Sequence, residues 1–112
     1  MKLPRTLATI GALTFFALSG LTNAATPDKE EMSLATDALE NFRYDLALAH
    51  YRKAAELGNV DAQRTAGMML LYDDATRGVD VPGNREEGIR LLQQAASQGC
   101  RISIAVLARL NR

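Results

Sequence analysis

Apolar residues recur at helical spacing through most of the chain after residue 31. Met32, Ala35, Leu39 and Phe42 follow one another at intervals of three and four residues, which is the spacing of one face of an α-helix. Comparable spacing returns in residues 46–57, 60–72, 84–98 and 101–110. None of these segments alternates apolar and polar residues as a strand does. The pattern predicts an all-α fold with five helices.

Polar residues and glycines indicate where these helices begin and end. Asp45 and Asn84 precede the second and fourth helices, where a side-chain oxygen can cap free backbone amides. Gly58 and Gly99 follow the second and fourth helices, and glycine suits the left-handed conformation just past a helix end. Residues 77–83 contain two glycines and a proline, so we predict one clear loop there.

The apolar faces of the last two helices follow from the same spacing. In the fourth helix we expect Ile89, Leu92 and Ala96 to be buried. In the fifth helix the expected inward positions are Ile102, Ala105 or Val106, Leu107 and Leu110.

A short pattern occurs twice and predicts how the helices are arranged. Residues 54–58 (AAELG) recur 41 residues later as residues 95–99 (AASQG). A period between about 20 and 50 residues is typical of stacked helical repeats. The alanine pairs, with Gly67 and Gly88, permit close approach of a neighbouring helix. Because short loops make successive helices antiparallel, we predict a short right-handed α-solenoid of antiparallel hairpins, with about two and a half repeats.

The N-terminal segment has the features of a secretory signal peptide. Lys2 and Arg5 precede an uncharged run at residues 7–21, and small residues follow at 22–25. The alternative is an uncleaved anchor helix, but the run is shorter than the roughly 20 residues that a membrane span needs. We therefore predict cleavage after Ala24 and a periplasmic or secreted protein. It would have a polar lead-in at residues 25–32, a helical-repeat domain at residues 33–112 and no membrane insertion after cleavage.

Charge and cysteine content limit the classes of partner. Residues 25–80 contain 11 acidic and 6 basic residues, whereas residues 81–112 contain 2 acidic and 5 basic ones. No basic cluster interleaved with aromatic residues indicates nucleic-acid binding. Cys100 is the only cysteine. It is interpreted as a small, partly buried hydrophobic residue, with a thiol of lowered pKa or an intermolecular disulfide as alternatives.

The repeated segments resemble the Sel-one-like repeat family, relatives of the tetratricopeptide repeat. Residues 51–63 resemble the Lys-Ala-Ala-x-x-Gly helix end and the start of the next unit, and residues 91–99 resemble a second helix end. Ala66-Gly67 and residues 77–79 stand at the small pair and the Gly-Val loop of the family. The resemblance covers residues 33–110 and implies a chain built from helix hairpins. Together with the N-terminal segment, whose features look bacterial, it indicates a small exported bacterial member. Extra residues around 73–83 depart from the family pattern.

No constellation of residues indicates catalysis or a metal or other cofactor. His50 is the only histidine, so any histidine-based site depends on it, and we expect a structural role. Asp73, Asp74 and Asp80 lack the ligand spacing of a calcium loop. The adjacent acid pairs Glu30-Glu31 and Glu86-Glu87 are interpreted as charges that favour a helix start.

Binding of a protein or peptide is the stronger hypothesis. Helical spacing places Arg64, Met68 and Tyr72 opposite or beside the apolar face of the third helix, and arginine and tyrosine are enriched in binding hot spots. Packing of Met68 and Tyr72 against the neighbouring hairpin is the alternative. A second basic candidate comprises Arg101, Arg109 and Arg112.

The sequence therefore predicts an exported protein–protein interaction module without catalytic activity. It would act as an adaptor, regulator or inhibitor of a periplasmic partner. Alternatives are an immunity protein against a secreted toxin and, from the family resemblance, a cell-wall or β-lactam hydrolase. Because arrays usually need about three repeats for stability, we also expect an apolar end, with Leu107 and Leu110, to dock on another protein or a second copy.

Overall fold

The computed structural model describes residues 25–73 and 84–112, which form helices joined by tight turns. The elements are α1 (Pro27–Glu40), α2 (Tyr44–Glu56), α3 (Val60–Met68) with a π-helical turn (Met69–Asp73), α4 (Asn84–Ser97) and α5 (Arg101–Leu110). These two ranges contain no strand, so the predicted all-α class is confirmed. The predicted signal peptide (residues 1–24) and loop (residues 77–83) lie outside the described residues.

The helices stack in chain order as hairpins. α1 packs on α2, α3 packs on both α2 and α4, and α5 packs on α4. The buried core consists mainly of alanines, and Leu92 is the largest apolar side chain that is fully buried. Ala54 and Ala95, one from each copy of the repeated pattern, have no exposed surface. The pattern therefore marks the same core position in successive hairpins, as the predicted short solenoid requires.

Three turns end α1, α2 and α4 with the same hydrogen bonds. In the turn after α2, the Gly58 amide donates to the Ala55 carbonyl, and the Asn59 amide donates to the Ala54 carbonyl. This pair of bonds defines a Schellman motif, whose central residue has a left-handed conformation. Gly58 and Gly99 adopt φ values of 92° and 88°, as predicted.

The turn after α1 contains Phe42 where the other two contain glycine. Phe42 has φ 58°, lies in the turn and is 78% exposed, so its predicted place on the apolar face of the first helix is wrong. Because the turn occupies residues 41–43, α2 begins at Tyr44, after Arg43 as N-cap. The predicted N-cap Asp45 lies instead in the first turn of α2.

α3 and α4 cross where each contains a glycine. A Cβ atom on Gly67 would lie 2.9 Å from the Gly88 carbonyl oxygen, and a Cβ on Gly88 would lie 2.9 Å from the Gly67 carbonyl oxygen. The predicted close approach at both glycines is confirmed. It also fixes which side of α4 faces inward, because the helix must turn Gly88 toward α3.

The last two helices bury different positions from those predicted. α4 starts at Asn84 itself and buries Gly88, Leu91, Leu92 and Ala95. Leu92 is fully buried, as predicted, whereas Ile89 and Ala96 are only partly buried because the inward side of α4 is centred nearer Gly88, Leu91 and Ala95.

In α5 only Ser103 is fully buried, while Leu107 and Leu110 are partly buried. The large apolar residues that this end exposes are therefore Ile102 and Ile104. The predictions of an inward Ile102 and of Leu107 and Leu110 as the exposed pair are wrong.

Candidate binding surface

Arg64, Met68 and Tyr72 follow one another along α3 and its π turn at intervals of four residues. None of the three is buried, and Tyr72 is 46% exposed. The inward side of α3 consists instead of Ala62, Gln63, Ala66 and Gly67. The structure thus leaves an arginine, a methionine and a tyrosine accessible on a helix whose other side forms the core.

Arg64 is only weakly engaged within the chain. Its Nη1 atom lies 3.3 Å from Oδ1 of Asp61, one helical turn earlier. The Asp61 side chain is 66% exposed, and ion pairs of this kind contribute little free energy in water. The guanidinium can therefore exchange Asp61 for an acceptor on a partner at little cost.

A polar cleft of about 280 Å³ lies between α2 and α4, beside the start of α3. It is lined by Arg52, Glu56, Gln63, Glu87, Arg90 and Gln94, together with Ala55, Gly58 and Leu91. Its two arginines and two glutamates have opposite charges in equal number, so the cleft has no net charge that would attract an ionic ligand.

Arg52 and Glu87 form a bidentate ion pair across this cleft. Arg52 Nε donates to Glu87 Oε1 at 2.8 Å, and Nη2 donates to Oε2 at 2.7 Å. The hydrogen bonds from Arg52 hold the pKa of the Glu87 carboxyl below its ordinary value. The partners lie 35 residues apart in the sequence, so no local pattern indicated the pair. Glu87 links two hairpins in addition to its place in the first turn of α4.

Gln63 extends this polar link into the core. It is only 4% exposed, yet its side chain is satisfied at both ends. Nε2 donates to the Ala55 carbonyl at 3.3 Å, and Oε1 accepts from Gln98 Nε2 at 2.8 Å. Because its polar atoms are bonded within the chain, Gln63 connects α2, α3 and the end of α4.

Two polar contacts attach α1 to the helices beside it. His50 Nδ1 lies 2.6 Å from Glu31 Oε2, which gives the only histidine the structural contact that we expected. Asn59 caps α3 by accepting from the Ala62 amide, and its Nδ2 donates to Asp28 Oδ2. Hydrogen bonds from the Thr26 side chain and then from Asn59 lower the pKa of Asp28.

Cys100 is the N-cap residue of α5 and is partly buried. The Ser103 hydroxyl donates to its Sγ atom at 3.3 Å. This bond, followed by the Ser103 backbone amide, lowers the pKa of the thiol. The described residues place no second cysteine beside it, and they contain no group of three or more potential metal ligands.

The three arginines of the second basic candidate lie on the exposed side of α5 and just after it. Arg101, Arg109 and Arg112 are all exposed, and Ile102 and Ile104 are each half exposed between them along the chain. Within residues 25–73 and 84–112, none of these arginines has an ion-pair partner. This end of the molecule thus combines apolar surface with uncompensated positive charge.

Comparison with known families finds a match over the central helices of the chain. The Sel1 repeat model matches residues 41–59 and 60–100, which together make 60 of the 112 residues. The first match includes α2 and its turns, and the second extends from α3 to the turn after α4. No curated protein and no solved structure matches the chain significantly. In the part of the chain that the structure describes, no helix has the length and apolar character for crossing a membrane.

Proposed function

Because the chain belongs to the Sel1 repeat family, whose repeats generally mediate protein–protein interaction, we propose that it is an exported interaction module. It acts on a periplasmic partner as an adaptor, regulator or inhibitor and has no catalytic activity of its own. Its basic and uncharged N-terminal segments support export.

The observation that carries this proposal is the accessible row of Arg64, Met68 and Tyr72 on α3. Repeat hairpins bind partners on surfaces formed by corresponding helices of successive units. Arginine and tyrosine supply charge-assisted and aromatic contacts, and methionine adapts its shape to a partner. The weak pairing of Arg64 with Asp61 leaves the guanidinium available for a partner carboxylate or carbonyl.

Site-specific photocrosslinking in living cells tests the surface directly. A photoreactive phenylalanine analogue replaces Met68 in one variant and Arg85, which is exposed on α4, in a control. We expect a discrete crosslinked protein with the first variant and much less of it with the control. Adding Arg64→Ala and Tyr72→Ala to the first variant should reduce the product at least about tenfold. Equal products from both positions, or no effect of the two alanines, would remove α3 as the binding surface.

The export part of the proposal has a separate test. N-terminal sequencing of the protein that accumulates in cells, after fractionation, should give a chain that begins at Ala25 in the periplasmic or extracellular fraction. An intact N-terminus in the cytoplasmic fraction would contradict export and leave the crosslinking result unaffected.

A further inference from the structure

One face of α5 is exposed, whereas the corresponding face of α3, its counterpart in the preceding repeat, is buried. The 41-residue period places Ile104 and Ala108 at the positions of Gln63 and Gly67 in α3. Gln63 and Gly67 are buried between α3 and its neighbours, including α4. Ile104, by contrast, is 50% exposed and Ala108 is exposed. No helix among the described residues covers these two positions of α5, and this open face can accept a helix.

The charge around the open face indicates an acidic helix as its occupant. The chain has no acidic residue after Glu87, and the exposed Arg101, Arg109 and Arg112 have no ion-pair partner among the described residues. A helix that brought carboxylates to these arginines would gain favourable electrostatic energy and cover the isoleucines.

α1 has the complementary character at the opposite end of the stack. It contains five acidic residues and one lysine, and two of the acids are held internally by His50 and Asn59. The other three, Glu30, Asp37 and Glu40, are exposed and have no ion-pair partner within the described ranges. Glu30, Leu34 and Asp37 follow helical spacing, and Leu34 is 48% exposed.

We propose that α1 of a second copy packs on the open face of α5, so that copies associate head to tail. A two-fold pairing of α5 with α5 would bring six arginines together without a carboxylate, which like-charge repulsion disfavours. The head-to-tail contact instead brings three carboxylates to three guanidinium groups. It is a heterologous contact, so association can continue beyond a dimer. It does not involve Arg64, Met68 or Tyr72.

The length of α5 limits the expected strength of the association between copies. A ten-residue helix is about 15 Å long, so the contact lies at the small end of specific interfaces and the association is weak. We expect a dissociation constant on the order of 10–500 µM. Since exposed charges contribute, association should weaken severalfold when the salt concentration rises from about 0.05 to 0.5 M.

Two blocked variants test the contact by sedimentation velocity on protein purified in the form that cells accumulate. The first, Ile104→Glu with Arg109→Glu, blocks the α5 face. The second, Glu30→Lys with Asp37→Lys, blocks the α1 face. A matched control, Lys53→Glu with Glu86→Lys, changes exposed charges on α2 and α4. Circular dichroism confirms that each variant remains folded.

Wild type and control should associate with rising concentration, and each blocked variant should bind itself at least about tenfold more weakly. An equimolar mixture of the two blocked variants should form a dimer that grows no further, because each retains the face that the other lacks. A wild-type monomer at about 500 µM would overturn the proposal and favour a different acidic protein as the occupant. Self-association of the α1-blocked variant at wild-type strength would also overturn it, in favour of α5–α5 pairing.

Discussion

At the scale of single residues, the three Schellman turns show what the sequence could and could not indicate. Gly58 and Gly99 mark two turns because glycine adopts the left-handed conformation at little cost. The third turn contains Phe42, and an apolar residue at helical spacing predicts burial in a helix. A break in the pattern at residues 41–44 agrees with the end of α1 at Glu40, but the pattern could not show that the phenylalanine takes the left-handed position of the turn.

Phe42→Gly should therefore stabilise the protein. A left-handed conformation costs a residue with a Cβ roughly 1–2 kcal/mol. The Phe42 side chain is largely exposed, and its ring stands edge-on to that of Tyr44, with 6.5 Å between the ring centroids. After allowing for the greater freedom of glycine in the unfolded chain, we expect the free energy of unfolding in urea to rise by about 1 kcal/mol.

Gly58→Ala, at the equivalent position of the turn after α2, is the matched control. A Cβ at Gly58 meets no atom within 4 Å, so its effect reports backbone conformation alone, and we expect a loss of about 1 kcal/mol. A loss of stability in Phe42→Gly would show that the phenylalanine side chain makes a net stabilising contact.

At the scale of helices, packing decides which predicted face is correct. The small residues at Gly67 and Gly88 indicated a close approach, and the structure has one. The approach turns Gly88 and Leu91 inward, so Ile89 and Ala96 are only partly buried. An apolar pattern with residues on adjacent faces cannot fix this rotation, because it depends on contact with another helix.

Gly67→Ala should destabilise the pair of helices even though alanine favours a helix. The added methyl group would lie 2.9 Å from the backbone oxygen of Gly88 and 2.9 Å from the Leu92 Cγ atom, so the helices must separate. We expect a loss of about 1–3 kcal/mol in the free energy of unfolding, measured by urea denaturation. Ser33→Ala, at an exposed position of α1, should be nearly neutral. A stabilised Gly67→Ala variant would show that helix propensity outweighs the crossing.

The Arg52–Glu87 pair predicts how stability depends on pH. Its hydrogen bonds lower the folded-state pKa of Glu87, so its stabilisation is present above the unfolded-state pKa and is lost as pH falls through the folded-state value. Glu87→Gln should lower the free energy of unfolding by about 0.5–1 kcal/mol at pH 7. It should also make the decline toward about pH 3 shallower than in the wild type.

Glu86→Gln is the control for this pair, since Glu86 is the exposed neighbour of Glu87. It should keep the wild-type slope between neutral and acidic pH. If both variants gave the same pH profile, the ion pair would contribute nothing specific to the junction of the hairpins.

At the scale of the whole molecule, repetition predicted the order of the stack, while the polar contacts between hairpins could not be predicted. Arg52 with Glu87 and Gln63 with Gln98 each join positions 35 residues apart, and such pairs leave no local signal. Their placement has a mechanical consequence. α1 and α2 are linked to α3 and α4 by side-chain bonds, whereas α5 rests on α4 chiefly through Ser103 and partly buried leucines.

Stability should accordingly decrease toward α5, because each unit of a repeat array contacts only its neighbours. Native-state hydrogen exchange on dilute protein should show α5 amides opening at a free energy at least about 1 kcal/mol below those of α3 and α4. Leu107→Ala should lower α5 protection further and leave α2 unchanged, because the lost contact lies at one end of the stack. Equal opening free energies in α2 through α5 would instead mean that the five helices unfold as one unit. In that case α5, which carries the open face, would be as stable against local opening as the helices on which it packs.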